Sequence, residues 1–285
     1  MSASSSSPGH SPGRSYGRSS SRSVVVTGAA RGIGRGIAAL LVRQGWSVVL
    51  TDVDGAAVAR TADEVGGVAG LAHDVRDPRA HEHAAEVAGS HAPLRAWVNN
   101  AGVGDDGRLA ELTEEQVRHL VEVNVLGVLW GMRTAQAGFE RTSGEPRGDI
   151  VNVASLSGLG PVPGYSVYAA TKAAVVSLSM SVDAETPRGL RVHALCPDGV
   201  QTPMLAATDP HGLGAALVHS GGRILGVEEV AERAVDLIGS GRVVRTLPAW
   251  RGALLRGTAL APGLAARGTA AFAAQGRRAM KRSGG

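Results

Sequence analysis

A run of valines that ends in a cluster of glycines constrains this chain more than any other stretch. Val24-Val25-Val26 leads straight into Thr27-Gly28-Ala29-Ala30-Arg31-Gly32-Ile33-Gly34, after which Ile33, Ile37, Leu40 and Leu41 recur at helical spacing. Successive β-branched residues without polar alternation describe a strand buried on both faces. Glycines at 28, 32 and 34 permit a tight turn and let backbone N–H groups come close to an anion. The helix that starts there turns its positive end toward the same place. A glycine-rich turn between strand and helix is the context that binding of a dinucleotide's pyrophosphate requires. Glycine also closes ordinary βα turns, so the remaining sequence has to discriminate.

The pattern continues through most of the chain. Val48-Val49-Leu50, Val68 to Ala72, Leu94 to Val98, Ile150 to Val153 and Leu190 to Leu195 read as further strands, with Val243-Val244 as a seventh. Helical periodicity occupies 54–64, 78–89, a long stretch at 113–140, then 165–185 and Val227 to Ile238. Strands alternating with helices of ten or more residues predict βαβ units: a single α/β domain with a Rossmann-like, doubly wound parallel sheet and helices on both faces.

The charge is unevenly placed. The net charge is +4, but three of the 29 basic residues lie in 1–22 and nine in 241–285, segments without a single acid. Residues 23–240 therefore hold 17 basic against 25 acidic side chains. The basic character belongs to the ends, and with no recognition motif beside it a nucleic-acid partner is not expected. One cysteine, Cys196, excludes a disulfide framework and a multi-cysteine zinc site. His81 and His83 are two apart on a helix and face different ways, so no metal site is expected. No run of apolar residues reaches the ~18 needed to span a membrane, and a cytoplasmic location is the expectation. Residues 1–22, with ten serines, lack the apolar surface to offset the entropy of ordering and read as a disordered leader. The domain is expected over 23–248, with 249–285 a basic C-terminal extension.

The spacing of the glycine loop, G-x-x-x-G-x-G, resembles that of the short-chain dehydrogenase/reductase family, and further motifs follow in the family's order. Asn99-Asn100-Ala101-Gly102 comes after the fourth strand and Asn124 lies in the long helix. Ser155 follows the fifth strand, Tyr168-Ala169-Ala170-Thr171-Lys172 matches Y-x-x-x-K, and Pro197-Asp198-Gly199-Val200-Gln201-Thr202 resembles P-G-x-x-x-T. The resemblance covers residues 24–240. It implies an NAD(P)-dependent oxidoreductase acting on a secondary alcohol or ketone, with Asn124, Ser155, Tyr168 and Lys172 catalytic, and a homodimer or homotetramer. A cofactor-binding regulator of the same fold that has lost catalysis is the alternative.

The residue chemistry agrees with that assignment. Tyr168 and Lys172, four apart, lie on one helix face. A phenol normally titrates near ~10, and a neighbouring ammonium is expected to lower that value, making the pair a proton donor and acceptor for an alcohol or ketone oxygen. Ser155 suits a hydrogen bond to the same oxygen. The chain has only two lysines, Lys172 and Lys281, and uses arginine elsewhere, so the lysine at 172 answers a need for an ammonium group. By resemblance Lys172 also contacts the nicotinamide ribose, and Asn124 holds a water in a proton relay through Lys172.

Cofactor contacts are expected from Gly28, Arg31, Gly32, Ile33, Gly34, Asn100, Ala101, Gly102, Pro197, Val200 and Thr202, together with Tyr168 and Lys172. Asp52 ends the second strand 18 residues after Gly34, close to where an acid meets the ribose hydroxyls. It favours NAD over NADP, although Arg31 could greet a 2′-phosphate. Asp74 and Val75, by resemblance, lie at the adenine. Asn99 reads as structural, and Ser157 as a weaker candidate for the task of Ser155. Asp198 departs from the family's Pro-Gly pair, and His193 replaces an asparagine common in the family. By resemblance, residues 204–226 fold over the substrate; they are rich in Ala, Leu and Gly, and no Lys or Arg occurs from Met204 to Gly222, which favours an apolar substrate. The basic end carries Arg251, Arg256, Arg267, Arg277, Arg278, Lys281 and Arg282 among Trp250, Leu254, Leu255, Leu260, Leu264 and Phe272, interrupted at Pro262-Gly263. Its readings are packing on a neighbouring subunit, a partly disordered tail, or weak peripheral contact with an anionic membrane.

Overall fold

In the computed structural model the described residues are 22–141, 146–209, 212–221, 223–258 and 271–280. The expected leader, apart from Arg22, lies outside them, as do Leu260, Pro262, Gly263, Leu264, Arg267, Lys281 and Arg282. Strands β1 (Ser23–Thr27), β2 (Ser47–Asp52), β3 (Ala69–Ala72), β4 (Leu94–Asn99), β5 (Gly148–Val153), β6 (Leu190–Pro197) and β7 (Val244–Leu247) form one sheet. All neighbours are parallel, in the order β3-β2-β1-β4-β5-β6-β7. The helices are α1 (Gly32–Arg43), α2 (Gly55–Val65), α3 (Pro78–His91), α4 (Glu114–Val121), α5 (Gly127–Glu140), α6 (Ser166–Glu185), α7 (Pro203–Ala206), α8 (Leu213–His219), α9 (Val227–Val235) and α10 (Ala249–Thr258). A further helix spans 271–280.

The two-residue period of the strands sorts the core into two layers. Val24, Val26, Val48, Leu50, Val98 and Val151 face α1 and α9, whose Ile37, Leu41, Val230 and Ala234 cover them. Val25, Val49, Trp97, Ile150 and Val192 face the other way, onto Ala84 of α3, Met132 and Phe139 of α5 and Val175 of α6. Full burial of each such side chain is worth about 1.5–3 kcal/mol. This double covering is why the strands read as unbroken apolar runs. β1 has β2 on one side and β4 on the other, so the loops leaving these strands diverge and open a crevice at their carboxyl ends.

One predicted element divides. The helix expected over 113–140 is α4 and α5 joined by a π-helical turn at Glu122–Leu126, and that turn contains Asn124. A π-turn adds a residue to the helical circuit and re-aims the side chains within it. β3 begins at Ala69, leaving the Val68 side chain exposed. At the carboxyl end of the sheet, Gly252 of α10 packs so closely on Thr246 that a Cβ would collide with its side chain. Ala273 of the 271–280 helix packs with Ala216 and Leu217 of α8.

The sheet also buries a polar chain. Trp97 Nε1 donates to Asn99 Oδ1 (2.8 Å), Asn99 Nδ2 to Asn152 Oδ1 (2.8 Å), and Asn152 Nδ2 to Ser179 Oγ (2.9 Å), whose hydroxyl donates to the Val175 carbonyl (2.7 Å). Asn99, Asn152 and Ser179 are fully or almost fully buried, so each group depends on its neighbour. Asn152→Ala strands Asn99 and Ser179 and is expected to destabilise the fold by at least ~1–3 kcal/mol. Urea unfolding reads the loss as a lowered midpoint at unchanged slope; an unmoved midpoint would mean that the chain of bonds is dispensable.

Candidate active site

At the base of the crevice its two lips are tied together by hydrogen bonds. Thr27 Oγ1, at the end of β1, accepts the N–H groups of Asn100 and Ala101, both at 3.1 Å. Asn100 Nδ2 returns two bonds, to the carbonyls of Thr27 and Gly28, both at 2.9 Å. The lips lie so close that a Cβ on Gly28, whose φ is +63°, would stand 2.7 Å from Ala101 Cα. A Cβ on Gly34 would collide with the Gly28 carbonyl and the Asn100 amide. These two glycines are thus required by the approach of backbone to backbone.

The start of α1 differs from its neighbours. Asp54 caps α2, Asp77 caps α3, and Thr113 with Gln116 forms a capping box on α4. The Arg31 side chain makes no such bond, and the first turn of α1 holds no acid. Its N–H groups and positive end are left for an anion. A Cβ on Gly32 would meet only the Thr202 side chain, at 3.5 Å, so the cradle is open on that side. Asp52 Oδ2 accepts the Ala30 N–H (3.1 Å) and Oδ1 the Asp54 N–H (3.2 Å), which sets a carboxylate against the glycine loop. This donor and acceptor set fits a dinucleotide: pyrophosphate on the α1 end, ribose hydroxyls on Asp52.

The four catalytic candidates converge next to this cradle. Asn124 is fully buried; its Oδ1 accepts the Val103 N–H (2.9 Å) and its Nδ2 donates to the Val103 carbonyl (2.9 Å) and to Thr171 Oγ1 (3.1 Å). Lys172 Nζ donates to the Val153 carbonyl (3.0 Å) and lies 5.7 Å from the centre of the Tyr168 ring. A Cβ on Gly102 would come within 3.2 Å of Asn124 Oδ1 and 3.3 Å of Lys172 Nζ, so the third lip residue, the amide and the ammonium share one small space. Ser155 acts on the Tyr168 hydroxyl as a hydrogen-bonding neighbour, lowering its pKa against the effect of burial. Ser157 serves Ser155: its N–H (3.1 Å) and its hydroxyl (2.8 Å) both donate to Ser155 Oγ.

The electrostatics correct one expectation. Lys172 does not draw Tyr168 toward ionisation here; burial pushes the phenol up to about 12, opposed by the Ser155 hydrogen bond. The ammonium is spent on the Val153 carbonyl, and desolvation of the phenolate outweighs its attraction at this range. Burial brings Lys172 itself down to about 8. A phenol that holds its proton beside an amine that titrates near neutrality is arranged to donate.

Other expected residues take different stations. Arg76 engages the Asp74 carboxylate through its Nη2 (2.6 Å), Nε and backbone N–H, and this pairing lowers the Asp74 pKa. Val75 is buried against the Gly127 position, and His81 Nε2 bonds its carbonyl (2.8 Å). His81 is buried while His83 is exposed, and among the described residues no cluster of three metal-ligating side chains occurs. Burial pushes the Cys196 thiol up to about 12, so it is inert core. His193 bridges Asp149 Oδ1 (2.9 Å) and the Arg242 carbonyl (2.6 Å) and ties β5 to β6 and the approach to β7. Thr202 caps α7 and bonds the Val200 carbonyl. The sequence reading missed Thr27 and Thr171, whose hydroxyls organise the lips and Asn124, and it missed Tyr165, whose ring meets Tyr168 edge-on at 5.6 Å. Only their positions beside the motifs could have signalled them.

A doubly wound sheet with this cradle and this Ser-Tyr-Lys-Asn set defines a class, and comparison places the chain in it: the short chain dehydrogenase family matches residues 22–212, and the protein belongs to that family. The "probable oxidoreductase EphD" of Mycobacterium tuberculosis is 35% identical over 184 residues, 62% of this chain and 31% of that protein. The chain thus spans about a third of the length of that relative. The "inactive 2-(S)-hydroxypropyl-CoM dehydrogenase 2" of Xanthobacter autotrophicus is 38% identical over 58% of this chain and 71% of its own. Among solved structures, a 3-ketoacyl-(acyl-carrier-protein) reductase from Brucella melitensis complexed with NADH superposes with a TM-score of 0.70 at 32% identity, covering 80% of this chain and 96% of that one. A short chain dehydrogenase/reductase from Burkholderia phymatum in complex with NAD gives 0.73 at 28% identity, covering 84% and 92%.

The lowered Lys172 pKa has a consequence for stability. Between about 8 and the ordinary lysine value of 10.5 the unfolded chain binds a proton that the native state does not. The native state therefore loses stability as pH falls through that window, by about 3 kcal/mol at ~1.4 kcal/mol per unit, and carries the full cost at pH 7. Lys172→Met is expected to abolish turnover yet stabilise the ligand-free protein by about 1–3 kcal/mol at pH 7, with the gain shrinking toward pH 10.5. Thermal unfolding across that pH range checks it; a variant less stable than wild type at pH 7 would contradict the assignment of the cost to Lys172.

Proposed function

We propose that the protein is an NAD-dependent oxidoreductase that interconverts a secondary alcohol and a ketone of mainly apolar character. The observation that carries this reading is the convergence of Asn124 Oδ1 and Lys172 Nζ on the space beside Gly102, with the Tyr168 ring 5.7 Å from that buried ammonium. The nicotinamide supplies or accepts the hydride when bound. Ser155 Oγ holds the substrate oxygen by a hydrogen bond as charge develops there. Tyr168 gives its proton to that oxygen in reduction, the direction its raised pKa favours, and takes it back in oxidation. Lys172, titrating at about 8, restores the proton to Tyr168, and Asn124 fixes the space beside Lys172 through which a water could relay it.

NAD is the proposed cofactor. Asp52 faces the glycine loop where the 2′ position would lie, and a 2′-phosphate would bring roughly two more negative charges. Like charges ~4 Å apart cost about 1–4 kcal/mol between water and protein-surface dielectrics. The exposed Arg31 works in the other direction but stands free of the carboxylate. Apolar substrates suit the wall formed by α7 and α8, where Asp105 and Asp106 add negative rather than positive potential near Tyr165. Exposed Val121, Leu126 and Met180 on α4, the π-turn and α6 support assembly into a homodimer or homotetramer. No helix among the described residues is long and apolar enough to cross a membrane. A cytoplasmic location is part of the reading, as is a weak contact of the basic end with anionic lipid.

A panel of ketones followed by cofactor absorbance tests the proposal. Turnover with NADH exceeding that with NADPH by about one to three decades in kcat/KM is expected, with Asp52→Ala reducing the preference. Cofactor binding without turnover on any ketone would favour the silent regulator, a reading kept in view by a relative described as inactive. A wild-type preference for NADPH would overturn the role of Asp52.

A further inference from the structure

Helix α10 reaches into the site through one side chain. Arg251 Nη1 donates to Asp198 Oδ2 (2.6 Å), and Nη2 donates to the Leu217 carbonyl (2.7 Å) and to Ser220 Oγ (2.8 Å). The pair is withdrawn from solvent, with side-chain exposures of 11% for Arg251 and 8% for Asp198. Its two anchorages belong to different walls of the cleft. Asp198 lies in the loop after β6, between Pro197 and Val200, while Leu217 and Ser220 form the end of α8. Gly221 makes room for the guanidinium, since a Cβ there would collide with it. At its other end α8 seats Gly214 directly on the Tyr165 ring, and that ring meets Tyr168 edge-on. α10 touches a third wall as well: Leu255 lies 3.0 Å from a Cβ built on Gly160, at the end of the turn that follows Ser155.

We infer that Arg251 is a positioning residue of the substrate site: it clamps α8 to the loop after β6, holds the α8 wall against Tyr165 and so sets the size of substrate admitted beside Tyr168. A helix that needed only a seat would be served as well by apolar contact, because two buried charges must offset their own desolvation. What the ion pair adds is direction. A guanidinium serves a carboxylate and a carbonyl at once from two amino groups; an ammonium, with its donors on a single nitrogen, cannot span both. The arginine and the aspartate that departs from the family's Pro-Gly pair are therefore one device. The substrate half of this inference rests on the oxidoreductase reading; the clamp itself does not.

The test uses the full chain with Arg251→Lys, Arg251→Ala and Asp198→Asn, and Arg256→Ala as a control that removes an exposed charge from the same helix. Amide hydrogen exchange over 213–219 is expected to quicken by about tenfold or more in the three clamp variants and to stay unchanged in the control. Ketone KM is expected to rise about tenfold with kcat altered less than about threefold, NADH affinity held within about twofold, and bulky ketones to gain relative to small ones. Arg251→Lys, which keeps the charge, guards against a variant that merely fails to fold. Folded clamp variants with wild-type exchange and wild-type KM would overturn the inference. If wild type turns over no ketone the oxidoreductase reading fails, and unchanged exchange would still, separately, overturn the clamp.

Discussion

Thr27 Oγ1 receives two backbone N–H groups from the loop after β4, and Asn100 returns two bonds to the loop after β1. Parallel strands that part company at a switch point leave loops with unpaired backbone groups, and a crevice of this kind would otherwise collapse or fill with water. Here the two lips satisfy each other, so Gly28 and Gly34 can stand against Ala101 and Asn100 while the N–H groups at the start of α1 remain free of side-chain caps. The anion cradle is a by-product of that stitching. The third lip residue, Gly102, then sets the distance to Asn124 and Lys172 and connects the cradle to the chemistry.

Buried polar groups concentrate where the sheet meets this site, and they differ in purpose. The chain from Trp97 through Asn99 and Asn152 to Ser179 ends on the Val175 carbonyl and fixes α6 on the sheet. Lys172, on the same helix, has a carbonyl as its hydrogen-bond partner, with burial holding its pKa down to about 8. An ammonium kept in such a place weakens the fold, a cost that the proposed role of Lys172 beside Tyr168 would offset. Stability is supplied by the double apolar covering of the sheet, which lets the site carry this cost.

The doubly wound architecture was legible because strands covered on both faces write themselves as unbroken apolar runs, and Val24-Val25-Val26 shows this most plainly. The motif residues were legible too, since Tyr168 and Lys172 share a helix face by spacing alone. What the sequence did not disclose depends on contacts between distant segments. The π-turn at Glu122–Leu126 has the same apolar period as a helix, so Asn124 looked helical until its bonds to Val103 and Thr171 were seen. The sign of the Tyr168 shift followed from desolvation of the phenol in the folded chain, which spacing does not report. Asp198 was visible as a departure, but its partner lies 53 positions away on α10.

The central claim is that Tyr168 exchanges the proton that accompanies hydride transfer, and Tyr168→Phe tests it most directly because the ring and its packing on Tyr165 are kept. Ketone reduction by the variant is expected to fall by at least ~10²–10⁴ in kcat while NADH affinity stays within about twofold of wild type. Turnover close to wild type, with NADH bound as before, would contradict the account.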